Sequence, residues 1–253
     1  MKLVGFSGKL GHGKDMAAEM FQYIQYKESS SHFYVPRFED WENLTDDERR
    51  MLSGTQIEKF GGKLKDIICV LLNCTREQLE DREFKETPLS ENWWYYSFQS
   101  WTDKGRIISK KDWNSLKDNQ KEYYDLVKTT PRLLLQLMGT ECGREILHPD
   151  VWVNATLDPY LEQLRWIRND SDNKNKFNDW VISDVRFPNE VESMEQLDGI
   201  VIRIERDSVV PSENEHESET ALDDYKFKYV LKNNGTKEEL LEKIYKIYKN
   251  KFQ

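Results

Sequence analysis

The sequence predicts an α/β fold, a doubly wound parallel sheet flanked by helices, with a helical and aromatic cap inserted into it. Three observations carry this. A short apolar stretch, Lys2 to Ser7, breaks off into a glycine-rich loop and then an amphipathic segment, the order expected of a buried parallel strand, a tight turn and a helix. Two further apolar runs of strand length, Trp180–Asp184 and Ile200–Ile204, alternate with helical patterns. Residues 86–129 instead carry Trp, Tyr, Lys and Asp without clean periodicity, which reads as an inserted cap or lid.

The elements follow in order. After Gly13, Met16, Ala17, Met20, Phe21 and Ile24 recur at helical spacing. Phe33 to Phe38 has strand character, and a polar helix lies around Thr45 to Met51. Lys63 to Leu72 is helical with one apolar side, and Thr75-Arg-Glu-Gln78 has capping-box spacing for the next helix. Thr130 is an N-cap with Pro131 at the first helical position, for a helix to about Cys142. Val151 to Ile167 is helical, and the polar run Asn169–Asn178 is a loop. Asn189 to Leu197 forms a short helix between the strands at Trp180 and Ile200. Tyr229-Val230-Leu231 runs into an Asn233-Asn234-Gly235 turn, and Thr236-x-x-Glu239 caps the terminal helix.

The 253 residues are read as a single domain spanning 1–253. The net charge of −9 argues against a nucleic-acid polymer as partner, because a phosphate backbone demands a basic surface. It does not exclude an anionic small molecule, for which a local cluster of Lys and Arg suffices. No apolar run reaches the ~20 residues needed to cross a bilayer, and the start leads directly into the glycine loop without room for a signal peptide. Cys69, Cys74 and Cys142 lack metal-ligand spacing and read as thiols of a reducing cytoplasm. The oligomeric state is left open, a homodimer included.

Gly8-x4-Gly13-Lys14 fits the first seven positions of the Walker A pattern. Gly8, Gly11 and Gly13 let backbone N–H groups curl around phosphate oxygens, aided by the partial positive charge of the following helix N-terminus. Lys14 would hold the β- and γ-phosphates of ATP and neutralise charge as the γ-group leaves. The fold expected is therefore that of a P-loop NTPase. The usual Ser/Thr after the lysine is Asp15, a hard oxygen donor able to serve Mg²⁺ directly or through water.

The Gly-Lys-Asp ending occurs together with Thr130-Pro-Arg-Leu-Leu-Leu-Gln-Leu-Met-Gly-Thr140-Glu-Cys-Gly-Arg144, Asp150-Val-Trp152 and Ser183-Asp-Val-Arg-Phe-Pro-Asn-Glu190. Phe60-Gly-Gly-Lys-Leu-Lys65 and His216-Glu-Ser-Glu219 are weaker features. In this combination the chain resembles the bacteriophage deoxynucleoside monophosphate kinases over nearly its whole length. The resemblance implies ATP-dependent, Mg²⁺-assisted formation of deoxynucleoside diphosphates for DNA precursor synthesis, in the host cytoplasm. Two positions depart from the family. Met16 stands where related loops carry Thr, and His12 stands where a small residue is common, either touching phosphate or simply exposed in the loop.

On the helix starting at Pro131, Arg132, Gln136 and Thr140 fall within about 80° of one another, with Gly139 on the same stripe. Arg132 would take the acceptor phosphate, Gln136 and Thr140 would bond the nucleotide, and Gly139 would permit its close approach; a solvated helix face is the alternative. Arg144 either reaches phosphate or pairs with Glu141. Trp152 offers a flat face for a base or packs in the core, and Lys65 meets the acceptor phosphate or solvent. Asp184 ends an apolar strand, where ligands of α/β sheets bind, and could orient a Mg²⁺-bound water or an arginine. Arg186 could neutralise the phosphoryl group, with Glu190 holding it in place. Asp15 and Asp184 are thus the expected metal-facing carboxylates, and no protein nucleophile is expected. A kinase of another phosphate ester, of the phosphomevalonate kinase type, and a non-enzymatic nucleotide-binding switch remain the alternatives.

Overall fold

In the computed structural model, the chain is described over residues 1–29, 37–99, 106–169, 178–208 and 220–253. The first stretches contain β1 (Leu3–Ser7), α1 (Lys14–Ser29), α2 (Phe38–Glu42), α3 (Asp46–Ser53), β2 (Thr55–Glu58) and α4 (Phe60–Leu72). Then come α5 (Arg76–Glu80), α6 (Arg82–Glu86), β3 (Tyr95–Phe98), β4 (Ile107–Ile108), α7 (Lys110–Ser115), α8 (Asp118–Lys121), β5 (Tyr124–Val127) and α9 (Pro131–Leu137). A π-helical stretch, Met138–Leu147, continues α9 and precedes α10 (Val151–Asn169). Last are β6 (Asp179–Val185), α11 (Pro188–Gln196), β7 (Ile200–Glu205), β8 (Tyr229–Lys232) and α12 (Lys237–Phe252).

The chain divides into two compact units, residues 1–63 with 150–253, and residues 64–149. The first holds a five-stranded sheet in the order β2-β6-β1-β7-β8, with every neighbouring pair parallel. From β1 the chain fills one side of the sheet with β2 and β6, then crosses to the other with β7 and β8. The switch point of this doubly wound topology therefore lies beside β1. Strand residues alternate between two cores. Val4, Phe6, Val181, Ile202 and Ile204 pack with α1 and α12, whereas Leu3, Ile182 and Val201 pack with α10 and α11. Burial on both faces explains why these strands read as continuous apolar runs.

The second unit holds a small antiparallel sheet, β4-β3-β5, with short helices around it. The segment 86–129 expected as an inserted cap belongs to this larger unit. Its aromatic residues build local structure: Tyr96 stacks on Trp113 at 4.4 Å and 8°, and the Lys121 ammonium lies 4.9 Å from the Trp113 ring centre. Thr129 and Leu89 close the base of the sheet, through Leu89 N–H to the Thr129 carbonyl at 2.8 Å and the Thr129 hydroxyl to the Trp93 carbonyl at 2.5 Å.

The expected caps form at Thr75, Thr130 and Thr236, and Thr45 caps α3 in the same way, each side chain accepting a backbone N–H from three residues on. Of the strand expected from Phe33, Phe38 opens α2 instead and residues 33–36 lie outside the described residues.

Candidate active site

The loop between β1 and α1 has positive φ at Gly11 (81°) and Gly13 (95°), conformations that disfavour any residue with a Cβ. At Gly13 a Cβ would also stand 2.6 Å from Asn233 Nδ2. This curl folds the loop around the Lys14 ammonium, which donates to the carbonyls of Gly8 and, at 2.9 Å, Lys9. The helix N-terminus and a buried lysine thus lie together at the carboxyl end of β1. An arrangement of this kind is chemically able to receive a polyphosphate.

The outer side of the loop is tied to β7 and to the turn after β8. His12 is buried, and its Nδ1–H donates to the Ile204 carbonyl at 3.0 Å, so it is no exposed loop residue and its ring serves the scaffold. Asn233 Nδ2 donates to the His12 carbonyl at 2.9 Å. Asp223 bridges Lys9 at 3.0 Å and Arg203 at 3.2 Å, and Arg203 also donates to the Ser7 hydroxyl at 3.1 Å. The Met16 side chain packs against the core, leaving that position only its backbone to offer a phosphate.

Beside the loop, β6 carries one extra residue: Gly5 pairs with Ile182 but Ser7 pairs with Val185. A bulge of this kind re-aims the side chains it contains, here Ser183 and Asp184. The Ser183 hydroxyl donates to Asp15 Oδ1 at 2.9 Å, and the Lys59 ammonium approaches the same oxygen at 2.7 Å. Burial works to raise the Asp15 carboxyl, but Lys59, Ser183 and the Lys14 charge together outweigh it and hold it below the usual carboxylate range. Asp184 accepts the backbone N–H groups of Phe60 and Gly61 at 2.6 and 2.9 Å, so both of its oxygens hold the N-terminus of α4. Glu190 is 1% exposed and accepts the backbone N–H groups of Arg186 and Phe187 at 2.7 and 3.1 Å. It does hold Arg186, through the main chain, and its burial leaves it unsuited to direct substrate contact. Trp152 is 4% exposed and lies on α10 with the other core-facing residues Val153, Thr156 and Tyr160, so packing accounts for it.

In the second unit, Lys65 on α4, Lys85 on α6 and Arg132 on α9 form one basic group. Lys65 pairs with Glu80 at 2.5 Å, Lys85 lies 4.0 Å from the other Glu80 oxygen, and Arg132 Nε donates to Glu86. Burial, together with the Lys65 and Arg132 charges, holds the Lys85 ammonium below the ordinary lysine range despite Glu80. Clustered cations of this kind favour an incoming anion. The expected helical stripe is altered beyond Gln136, because the backbone widens to a π-helix at Met138 and shifts Thr140 around the axis. Gly139 is buried with its Cβ position 3.1 Å from Leu64 Cδ2, so its smallness serves helix packing within the unit. Arg144 donates to the Gly139 carbonyl at 2.8 Å.

Sequence reasoning missed Lys59, Lys85 and Ser183. Ser183 adjoins Asp184 in the same stretch and was within reach; Lys59 and Lys85 carry no spacing signal, since only tertiary packing brings them to their neighbours. His216 and Glu219 lie outside the described residues. Among the described residues no three His, Cys, Asp or Glu side chains cluster to hold a metal, and no helix is long and apolar enough to cross a membrane.

The chain is similar to known proteins along most of its length. A sequence profile of the family described as "Deoxynucleotide monophosphate kinase" matches residues 85–244. The "Deoxynucleoside-5'-monophosphate kinase" of Escherichia phage T5 is 26% identical over 232 residues, covering 87% of this chain and 84% of the relative. A protein of Acanthamoeba polyphaga mimivirus, named "Putative deoxynucleotide monophosphate kinase", is 35% identical over 116 residues, 46% of this chain, and the match spans 59% of that relative's length. With more than half of its residues matched by the family profile, the chain belongs to the deoxynucleotide monophosphate kinase family.

Proposed function

We propose that this kinase transfers the γ-phosphate of ATP to the phosphate of a deoxynucleoside monophosphate, giving ADP and the deoxynucleoside diphosphate. The observation that carries the reading is the curled glycine loop closed on Lys14 at the switch point of the parallel sheet. In the reaction, an oxygen of the acceptor phosphate forms the new bond to Pγ while the Pγ–O bond to ADP breaks. No protein nucleophile is needed; catalysis is positioning and charge neutralisation. Lys14 and the loop amides bind the donor phosphates, and Arg186 neutralises the transferring group. Lys65, Lys85 and Arg132 bind the acceptor phosphate, and Gln136 and Arg144 orient the rest of the acceptor.

Magnesium fits the donor set. Asp15 is a solvent-accessible carboxylate beside Lys14, and its Oδ2 has no protein partner among the described residues. That suits a cation that takes one or two carboxylates and keeps its waters. Bound with ATP, magnesium would neutralise charge on the phosphates. The viral relatives and the reaction together support a role in viral DNA precursor supply within the host cytoplasm.

The test is to screen the deoxynucleoside monophosphates, with ribonucleotide controls, for ADP formation coupled to diphosphate appearance. ADP release that needs a deoxynucleoside monophosphate is the expected result. Hydrolysis indifferent to every monophosphate would instead mark a nucleotide-binding switch.

A further inference from the structure

Lys59 stands at the mouth of the phosphate loop by construction. Asp184 holds the Phe60 and Gly61 amides, and the Gly62 N–H closes on the Lys59 carbonyl at 2.9 Å, which fixes the residue preceding α4. Its ammonium then lies 2.7 Å from Asp15 Oδ1, next in sequence to Lys14. The pair is open to solvent, with side-chain exposures of 39% for Lys59 and 67% for Asp15. An exposed ion pair contributes little, because water screens it. A polyphosphate entering the loop offers Lys59 several charged oxygens at once, and charge-assisted bonds to phosphate are among the strong ones. It also brings like charge up to Asp15, which repels it unless a cation stands between them.

We propose that Lys59 is a further catalytic cation of this kinase: its ammonium leaves Asp15 for the terminal phosphates of the donor, and Asp15 is its resting counter-ion. This rests on the donor reading of the loop given above. No bond to Lys59 forms or breaks during transfer. Its charge offsets that on the three phosphoryl oxygens as the bond from Pγ to the leaving oxygen lengthens.

The experiment is calorimetric titration of the full chain with a non-hydrolysable ATP analogue in EDTA, which removes any metal contribution. Wild type, Lys59→Met, Lys59→Arg, Asp15→Asn and the Lys59→Met/Asp15→Asn double variant are compared, with thermal melts to verify folding. Lys59→Met is expected to weaken binding about ten- to a hundredfold, the range for a lost charged hydrogen bond. Lys59→Arg keeps most of the affinity, and Asp15→Asn binds as tightly as wild type or more so. The double variant stays at least about tenfold weaker than Asp15→Asn alone, by the same measure. If it matched Asp15→Asn, Lys59 would serve only to neutralise Asp15, and the proposal would fall. Unchanged binding by Lys59→Met in a chain whose wild type binds the analogue overturns Lys59 alone. A wild type that binds a deoxynucleoside monophosphate but not the analogue overturns the donor reading and this proposal with it. Should Lys59→Met not fold, Lys59→Gln is read in its place.

Discussion

Asp184 Oδ1 accepts the backbone N–H of Phe60 at 2.6 Å, and Oδ2 accepts that of Gly61 at 2.9 Å, so a strand carboxylate acts as the cap of α4. The carboxylate complements the positive end of the helix and satisfies two of its orphan donors. Asp184→Ala should therefore cost about 2 kcal/mol of stability, the scale of a charged hydrogen bond. For a chain of this size that corresponds to roughly 5 °C in Tm. Asp184→Asn, which keeps one acceptor oxygen, should lose less. Thermal melts of both variants check this, and an Asp184→Ala chain melting with wild type would remove the capping role.

Arg132 and Lys85 test the acceptor side. The Arg132 guanidinium is tied by Nε to Glu86 and is 44% exposed, so its outer edge can meet a phosphate. Arg132→Ala should raise KM for the monophosphate by about 1.5–3 kcal/mol, ten- to a hundredfold, with little change for ATP. Lys85→Ala should act in the same direction. Steady-state kinetics with each substrate varied in turn decides it. Equal effects on both substrates would put these residues outside the acceptor site.

Much of this architecture was legible in the sequence because local rules govern it. The capping threonines at 75, 130 and 236 each announce a helix through a hydrogen bond closed within three residues. The phosphate loop was legible because its glycines, its lysine and the flanking strand and helix are contiguous. Convergence across the fold was not. His12 looks like a loop residue until β7 supplies a carbonyl 3.0 Å from its ring. Asp184 sits in a predicted strand, but the extra residue in β6 that aims it at α4 has no sequence signal. Gly139 reads in the sequence as room for a ligand, although its space is needed by Leu64, 75 positions earlier in the chain. The π-helical widening at Met138 likewise lacks a local cause that spacing reveals.

Glu28 predicts a pH dependence of stability. Its carboxylate accepts from the Lys249 ammonium and the Tyr245 hydroxyl, both at 2.8 Å, pinning α12 to α1. The Lys249 hydrogen bond is the main cause of a carboxyl pushed down to about 2 from an ordinary 4.5; burial opposes the shift and Tyr245 and Gln253 add to it. A depressed folded-state value means stability that is present above the unfolded value and lost as pH falls toward the folded one. The window therefore runs from about pH 4.5 down to about 2. Screening near the surface reduces the contribution to about 1 kcal/mol. Glu28→Gln should be less stable than wild type at pH 7, with the difference closing across that window. Denaturant melts at a series of pH values measure it; a difference independent of pH would assign the loss to packing.

Asp15 and Asp184 divide the metal question between them. The Asp184 oxygens are both committed to α4, whereas Asp15 gives Oδ1 to Lys59 and Ser183 and keeps Oδ2 for solvent or a cation. Of the two, Asp15 has the greater spare capacity for a hard cation. Magnesium holds most of its waters and takes few protein oxygens, so one carboxylate shifts its affinity without rebuilding the site. Asp15→Ala should raise the magnesium concentration for half-maximal rate by roughly tenfold, the low end for loss of an outer-sphere partner. Asp184→Ala should lower the maximal rate and the Tm while leaving that magnesium midpoint nearly in place. Met16→Thr should move it little, because the side chain at this position is turned to the core. Initial rates over a magnesium titration, with EDTA as the zero point, compare the three variants. A midpoint that moves with Asp184→Ala and stays with Asp15→Ala would reverse the assignment, leaving Asp15 as the partner of Lys59 and Ser183 only.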